Sequence, residues 1–328
     1  HGSSHERLSY TTGFRLHVSP QRRVCARKRG GSCSRARSRL VNGFELPLHV
    51  ETHGPDPAAD IEVVVLIHGY GGSAYSWRYW VPHLARRAHV VLVDLKGFGS
   101  APKPDDGQYS PEDQAELVYR MIVQRDLKRV TLMGHSLGGG VALLTALRLL
   151  DEKKDRLARM VLVAAAAYPQ RLPPFVTLAR YRRTCLAAFR LLGPTRVIRW
   201  VLRSIVFDAD SITESQVQAY AEPLYEADAR RALIDVALRI VPESIDDIIP
   251  RFREIKVPVL LLWGAHDRVV PVSVGERLKA ELTDSRLHIF GSCGHLPPEE
   301  LPQDTWELTE AFMWGLDDES SREDQTVA

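Results

Sequence analysis

Five short runs of apolar residues recur along this chain, and turns or helical patterns separate them. The runs are rich in valine, leucine and isoleucine and occupy residues 63–67, 90–94, 130–133, 160–164 and 257–263. Continuous apolar runs of this length are typical of parallel strands that are covered on both faces. Strands that alternate with helices predict an α/β fold with a mostly parallel sheet. ELPLHVE (45–51) alternates like a half-buried strand, and RLHIF (286–290) predicts one more strand.

Three segments between these runs have the apolar spacing of helices. They cover residues 73–87, 110–126 and 137–153. The second begins with Ser110 as a predicted N-cap and Pro111 at the first helical position, followed by two acids. Between residues 168 and 250 the alternation stops, and an aromatic-bearing helical pattern takes its place. We therefore expect a helical insertion between two strands of the sheet.

The segment MGHSLGGG (133–140) places four glycines around Ser136, where a predicted strand passes into a helix. Glycine weakens either element by roughly 0.5–1 kcal/mol relative to alanine, so the junction needs space that side chains would fill. In G-x-S-x-G, small flanking residues lift a serine hydroxyl clear of a sharp turn. Gly134 and Gly138 are expected to provide that clearance, and Gly139 to let the helix pack close to the strands. The pattern predicts a nucleophile, although such pentapeptides also occur as simple glycine turns.

A serine nucleophile needs a base, and the base needs an acid that orients it. His295 follows the strand 286–290 in a glycine-bounded loop, whereas His288 lies inside that strand. His135 is expected to point away from the hydroxyl of its neighbour. Asp267 follows the strand 257–263 after a short turn. Because sites collect at the carboxyl ends of parallel strands, Ser136, Asp267 and His295 are predicted to converge there. An acid near the end of strand 160–164 or in the insertion is the alternative.

LIHGYGG (66–72) ends another strand with a tight glycine turn. The amides of Tyr70 and Leu137 are expected to donate to a developing oxyanion. His68 is expected to hold this loop by hydrogen bonds and not to act as a base.

The chain from about Arg39 to Leu316 resembles the α/β-hydrolase fold superfamily, serine-nucleophile branch. HGYGGSAYSW, DLKGFGSAPKP, GHSLGGG, GAHDRVVP and CGHLPPEE carry this resemblance, in the family's order. The resemblance implies a catalytic triad of Ser136, Asp267 and His295. It also implies a core over residues 39–167 and 251–316, with a helical cap over residues 168–250.

DLKGFGSAPKP is similar to the branch that holds epoxide hydrolases, haloalkane dehalogenases and carbon–carbon bond hydrolases. The first two use an aspartate nucleophile, which this chain replaces with Ser136. The chain lacks the HGG repeat of hormone-sensitive-lipase-like esterases. It also lacks the proline-containing loop of carbon–carbon hydrolases, whose elbow more often has Asn before Ser.

The favoured function is therefore hydrolysis of carboxylic esters with small to medium acyl chains, without metal or organic cofactor. Carbon–carbon cleavage of vinylogous diketones and a non-catalytic binding module are the alternatives. Trp200, Phe175 and Phe207 are candidate pocket residues, and the expected partner is a small-molecule ester. The insertion's arginines are interpreted as a solvated helix face, with attraction to an anionic substrate or membrane as the alternative.

Charge is uneven along the chain. Residues 1–40 hold ten Lys or Arg and one acid, whereas the whole chain carries +2. We interpret residues 1–38 as a disordered, partly vector-derived leader, with a nucleic-acid arm or targeting sequence as the alternative. Residues 317–328 are expected to be a polar, frayed tail. No apolar run approaches the ~20 residues of a membrane span. The cysteines (Cys25, Cys33, Cys185 and Cys293) form no C-x-x-C pair, which favours reduced thiols and a cytoplasmic location.

Overall fold

The computed structural model describes residues 46–57, 61–152 and 155–315. Its described part contains a sheet of seven strands in the order β1-β3-β2-β4-β5-β6-β7. β1 is antiparallel to β3, and all other neighbouring pairs are parallel. The strands are β1 (His49–His53), β2 (Glu62–Ile67), β3 (Ala88–Asp94), β4 (Val130–His135), β5 (Leu157–Val163), β6 (Val259–Gly264) and β7 (Ser285–Phe290). The predicted α/β fold is confirmed, and each of the five apolar runs contributes to a strand.

Both faces of the sheet are covered, which explains why the strands are apolar without alternation. In β2, Val63, Val65 and Ile67 belong to one buried cluster. Val64 and Leu66 belong to another cluster, together with three tryptophans. Neighbouring side chains of a strand point to opposite faces, so a strand inside two apolar layers must be apolar throughout.

Helices connect the strands and fill both layers. They are α1 (Val81–Leu84), α2 (Pro111–Gln124), α3 (Leu137–Asp151), α4 (Pro174–Thr177), α5 (Arg182–Leu192), α6 (Pro194–Ile205), α7 (Glu214–Ala221), α8 (Ala227–Leu238), α9 (Ile245–Ile248), α10 (Val272–Glu281), α11 (Pro297–Glu300) and α12 (Pro302–Trp314). Short 3₁₀ helices are Ala74–Trp77, Leu178–Arg180, Ala209–Ser211, Glu222–Tyr225 and Ile249–Glu254. The N-terminus of α2 is a capping box. Ser110 Oγ accepts from the Asp113 amide, and Asp113 accepts from the Ser110 amide.

Residues 168–254, between β5 and β6, contain helices and turns but no strand. We call this stretch the helical insertion. The division into a core and a cap at residues 168 and 250 stays a prediction. The predicted leader (1–38) and tail (317–328) lie outside the described residues.

Two sequence predictions need correction. Residues 73–87 do not form one helix, because a 3₁₀ turn ends at Trp77 and α1 starts only at Val81. Pro82 has no amide hydrogen for an intrahelical bond and restricts the residue before it, so it suits a helix start. The strand predicted at 45–51 is observed at His49–His53. Pro47 likewise cannot donate to the ladder, and pairing with β3 begins beyond it.

Candidate active site

Ser136 lies at a sharp turn between β4 and α3. Its φ of 52° and ψ of −118° place it in a region that non-glycine residues rarely adopt, which indicates local strain. The Ser136 amide donates to Val163 O, and Ser136 O accepts from Gly139, Gly140 and Ala166. These hydrogen bonds hold the strained residue in place.

The glycines around Ser136 occupy positions where no side chain fits. A Cβ added at Gly134 would overlap the carbonyl oxygen of Gly138, and one added at Gly138 would overlap that of Ile67. A Cβ at Gly139 would overlap Ala165, in the segment after β5. The glycines therefore allow the first turn of α3 to pack directly against the ends of the neighbouring strands.

Asp267 and His295 form a buried pair at the ends of β6 and β7. His295 Nδ1 lies 2.8 Å from Asp267 Oδ2, and their side chains are 5% and 0% exposed. Asp267 Oδ1 accepts from the amides of Val269 and Val270, at 2.7 and 2.9 Å. One carboxylate oxygen thus shapes the loop and the other orients the imidazole.

Ser136 and His295 line the same cavity, so all three predicted side chains meet at one edge of the sheet. Among the described residues, Ser136 Oγ and His295 Nε2 are not joined by a hydrogen bond.

Tyr70 and Leu137, whose amides are the predicted oxyanion donors, line the cavity beside Ser136. Neither amide donates a hydrogen bond to another described residue, and Leu137 is the first residue of α3. The Tyr70 hydroxyl donates to Leu233 O in α8 at 2.9 Å, and burial raises its pKa. This bond anchors the Tyr70 backbone between the sheet and the helical insertion.

Two further histidines lie near the site. His68 Nε2 accepts from the Leu95 amide, and its Nδ1 lies 2.8 Å from Gly69 O, so both ring nitrogens are used by the fold. His135 Nε2 donates to His295 O at 2.8 Å. Burial, with His295 nearby, lowers the pKa of His135 to about 3. A neutral His135 therefore supports the backbone of His295, a role that the sequence did not indicate.

Glu300 also holds the His295 loop and was not singled out from the sequence. Its carboxylate accepts from the amides of Gly294 and Leu296, on either side of His295. It also accepts from the Phe207 amide at 2.7 Å, and the His295 amide donates to Ile205 O at 2.9 Å. The histidine loop is thereby joined to the end of α6.

A cavity of about 350 Å³ opens next to Ser136. Phe175 and Trp200 line it, as predicted from their aromatic character, but Phe207 does not. Phe207 follows the end of α6, is 45% exposed and packs its ring against His266. The assignment of Phe207 to the pocket was therefore wrong. Among the described residues, the cavity wall contains no Lys, Arg, Asp or Glu.

A polar cluster lies behind one wall of the cavity. The Tyr220 hydroxyl contacts Ser76 Oγ at 3.0 Å and donates to Glu299. Arg78 and Gln216 donate to the other oxygen of Glu299, at 2.6 and 2.8 Å. Glu299 is thus fully partnered and does not line the cavity, whereas Ser76 and Tyr220 of this cluster do.

Three other features of the described residues concern the cysteines, metal ligands and membrane spans. Cys185 and Cys293 are free thiols, and burial raises the pKa of each; Cys25 and Cys33 lie outside the described part. No group of three or more His, Cys, Asp or Glu is placed to hold a metal within residues 46–57, 61–152 and 155–315. In the same ranges, no helix is both long and apolar enough to cross a bilayer.

Comparisons with known proteins agree with this architecture. A family model described as alpha/beta hydrolase fold matches residues 62–302. The uncharacterized hydrolase YugF of Bacillus subtilis is 30% identical over 251 residues, which cover 74% of this chain and 86% of that protein. A 2-hydroxy-6-oxononadienedioate/2-hydroxy-6-oxononatrienedioate hydrolase of Paraburkholderia xenovorans is 30% identical over 290 residues, covering 84% and 92%.

Among solved structures, an esterase from Exiguobacterium antarcticum matches with a TM-score of 0.66 and 22% identity. The match covers 81% of this chain and 94% of the esterase, and at this identity it shows the fold alone. The order of strands, the turn at Ser136 and the matched family model lead to one conclusion. This chain belongs to the alpha/beta hydrolase fold family.

Proposed function

We propose that this protein hydrolyses carboxylic esters that carry small to medium apolar acyl chains, with Ser136 as nucleophile. The observation that carries the proposal is the uncharged cavity of about 350 Å³ beside Ser136, His295 and the buried Asp267. The pair of Asp267 and His295 supports proton transfer from Ser136, and the cavity wall supports an apolar substrate.

The proposed reaction begins when Ser136 Oγ attacks the ester carbonyl carbon and His295 Nε2 takes the hydroxyl proton. Asp267 stabilises the resulting imidazolium. The Tyr70 and Leu137 amides, with the N-terminal end of α3, stabilise the negative charge on the carbonyl oxygen. Collapse of the intermediate expels the alcohol, which takes the proton from His295. Water then attacks the acyl-enzyme while His295 accepts its proton, and the carboxylic acid leaves as Ser136 regains a proton.

The cavity argues for a neutral substrate against the dicarboxylates named for the Paraburkholderia relative. A carboxylate that leaves water needs a cation or several hydrogen-bond donors, and without them its burial is very costly. No Lys or Arg lines the described cavity, whose hydroxyl donors include Ser76 and Tyr220. Carbon–carbon cleavage of a dioate remains the second candidate, because a relative that is 30% identical over 290 residues carries that name.

A substrate panel tests the proposal. Activity is measured on p-nitrophenyl esters from acetate to dodecanoate and on 2-hydroxy-6-oxononadienedioate. We expect kcat/KM for the best ester to exceed that for the dioate by at least about 100-fold, from the cost of burying unpartnered carboxylates. We expect Ser136→Ala to lower ester turnover by roughly 10⁴–10⁶-fold.

Ser76→Ala is the matched control, because it removes another hydroxyl from the same cavity and should cost less than about tenfold. Preferential cleavage of the dioate would instead assign carbon–carbon bond hydrolysis. No turnover, together with no labelling of Ser136 by a fluorophosphonate, would assign a non-catalytic binding module.

A further inference from the structure

The stretch of the helical insertion from residue 168 to residue 205 has an unusual charge composition. It contains eight arginines and no Asp, Glu or Lys. Most of these residues lie in α5, α6 and the 3₁₀ helix before them. A surface helix normally mixes both signs of charge, so this part of the molecule is strongly positive.

Most of these charges are not neutralised by ion pairs. Arg182, Arg199 and Arg203 pair with Asp235, Glu214 and Asp210. Within the described residues, the other five arginines have no carboxylate within ion-pair distance: Arg171, Arg180, Arg183, Arg190 and Arg196. All five are exposed. They are therefore available to an external anion.

Large apolar side chains stand exposed among these arginines. Leu191 and Leu192, at the end of α5, are 79% and 53% exposed. Tyr181 is 66% exposed and Trp200, in α6, is 59% exposed. Single exposed apolar residues are normal on a protein surface, but several large ones grouped among unpaired arginines indicate an interaction surface. The same combination is typical of helices that lie at a membrane interface.

The cavity opens on this surface. Leu178 and Trp200 line the cavity and are also exposed, so they mark its entrance. On the inner side, Phe189 of α5 and Ile198 and Leu202 of α6 are buried and line the same cavity. The two helices thus have one apolar face toward the cavity and one arginine-rich face, with exposed leucines, toward the outside. We call the outer side, residues 178–203, the α5–α6 face.

We infer that the α5–α6 face docks on an anionic phospholipid bilayer and places the cavity entrance at the lipid surface. The arginines would contact lipid phosphates, and Leu191, Leu192 and Trp200 would enter the boundary between headgroups and acyl chains. An acidic protein or a nucleic acid would use the arginines but would leave the exposed leucines without a partner. Docking does not depend on the chemistry at Ser136. The corollary that a lipophilic ester enters the cavity from the bilayer rests on the proposed function.

Co-sedimentation with vesicles tests docking. The full chain is mixed with vesicles of phosphatidylcholine, alone or with phosphatidylglycerol, at low and high salt. We expect binding only to the anionic vesicles, weakened by salt. The variant Arg183→Gln/Arg190→Gln/Arg196→Gln should bind about 100-fold more weakly, at about fivefold per arginine. Leu191→Ser/Leu192→Ser should also weaken binding, which a purely electrostatic attachment would not show.

The matched control is Arg86→Gln/Arg125→Gln/Arg129→Gln, which removes three exposed arginines near the starts of β3 and β4, at the opposite edge of the sheet. This control variant has the same net charge as the first variant and retains the basic residues 1–40. It should bind anionic vesicles as strongly as the parent. All three variants should show the parental circular dichroism spectrum and a cooperative urea transition, which shows that they fold whether or not the protein hydrolyses esters. Equal binding by the parent and the first variant would overturn the inference. The inference would also be overturned if the parent bound polyaspartate or an oligonucleotide through these arginines and did not bind vesicles.

Discussion

The strand ends that hold Ser136, Asp267 and His295 differ in kind from the helical insertion that faces them. At the strand ends the backbone is packed so closely that Gly134 and Gly138 admit no Cβ. Each buried charge there has a partner, as Asp267 shows. The insertion contributes apolar cavity walls and exposed, unpaired arginines. Under the proposed function, this difference corresponds to a division of roles, in which the sheet edge would carry the reaction and the insertion would select the substrate.

The largest expected effect lies at the sheet edge. Asp267→Asn should lower kcat by about 10⁴-fold, because the amide does not stabilise an imidazolium and favours the wrong tautomer of His295. Asn can still accept from the Val269 and Val270 amides, so the loop should keep its shape. Measured across the ester panel, the loss should be the same for every acyl length. A loss below tenfold would transfer the acid role to another residue.

The close packing at the turn predicts the next effect. Gly138→Ala should lower the free energy of unfolding by about 3 kcal/mol or more, because its Cβ would overlap the carbonyl oxygens of Ile67 and His68. Gly291→Ala is the control, since a Cβ there meets no atom within 4 Å. Urea unfolding measures both. Equal, small losses in the free energy of unfolding for both variants would show that the backbone around Gly138 is packed no more closely than that around Gly291.

Burial of His135 predicts a pH effect on stability. Its pKa of about 3 in the folded protein is below the ordinary 6.5, so the unfolded chain takes up its proton first as the pH falls. The contribution of neutral His135 to the free energy of unfolding is complete above about pH 6.5 and is lost as the pH falls toward 3. When the pH is lowered from 7 to 5, the free energy of unfolding of the parent should fall by about 2 kcal/mol more than that of His135→Gln. Gln at this position retains an N–H donor for His295 O. Equal losses in urea titrations at the two pH values would contradict this account.

The smallest effect should come from the insertion and should change the order of substrates. Leu202→Ala enlarges the cavity from α6, so longer acyl chains should gain up to about fourfold in kcat/KM for each methylene that becomes buried. Short esters should gain nothing. The measurement is the ratio of kcat/KM for the octanoate ester to kcat/KM for the acetate ester. This ratio should rise in Leu202→Ala and stay at the parental value in Asp267→Asn. An equal change in kcat/KM for every ester of the panel would contradict the proposal that the insertion selects the substrate.

The sequence predicted the parts of the site that follow local patterns. Ser136 directly follows a strand, Asp267 and His295 lie in the loops after two others, and parallel strands bring their carboxyl ends together. Glu300 and His135 were missed because each joins segments that lie far apart in sequence. Phe207 is 93 residues from Glu300, and His295 is 160 residues from His135. Pairs at such separations leave no periodic signal.

The pocket was harder to predict for a different reason. A helical pattern shows that Phe175 and Trp200 are aromatic residues of a helical region, but not which surface they face. Phe207 lies two residues beyond the end of α6, where the helical repeat no longer determines its direction. The assignment to a cavity therefore depends on how several helices pack, which one sequence does not specify.

The bonds between α6 and the histidine loop bear on the construction of chimeras. Ile205 O accepts from the His295 amide, and Glu300 accepts from both the Gly294 and Phe207 amides. A graft that replaces the whole insertion with that of another hydrolase would remove these partners and displace the loop that holds His295. Crossover points placed before Ile205, with residues 205–207 kept from the parent, should exchange substrate preference and retain turnover. This boundary falls inside the helical insertion, well before its end at residue 254, where domain limits alone would not place it.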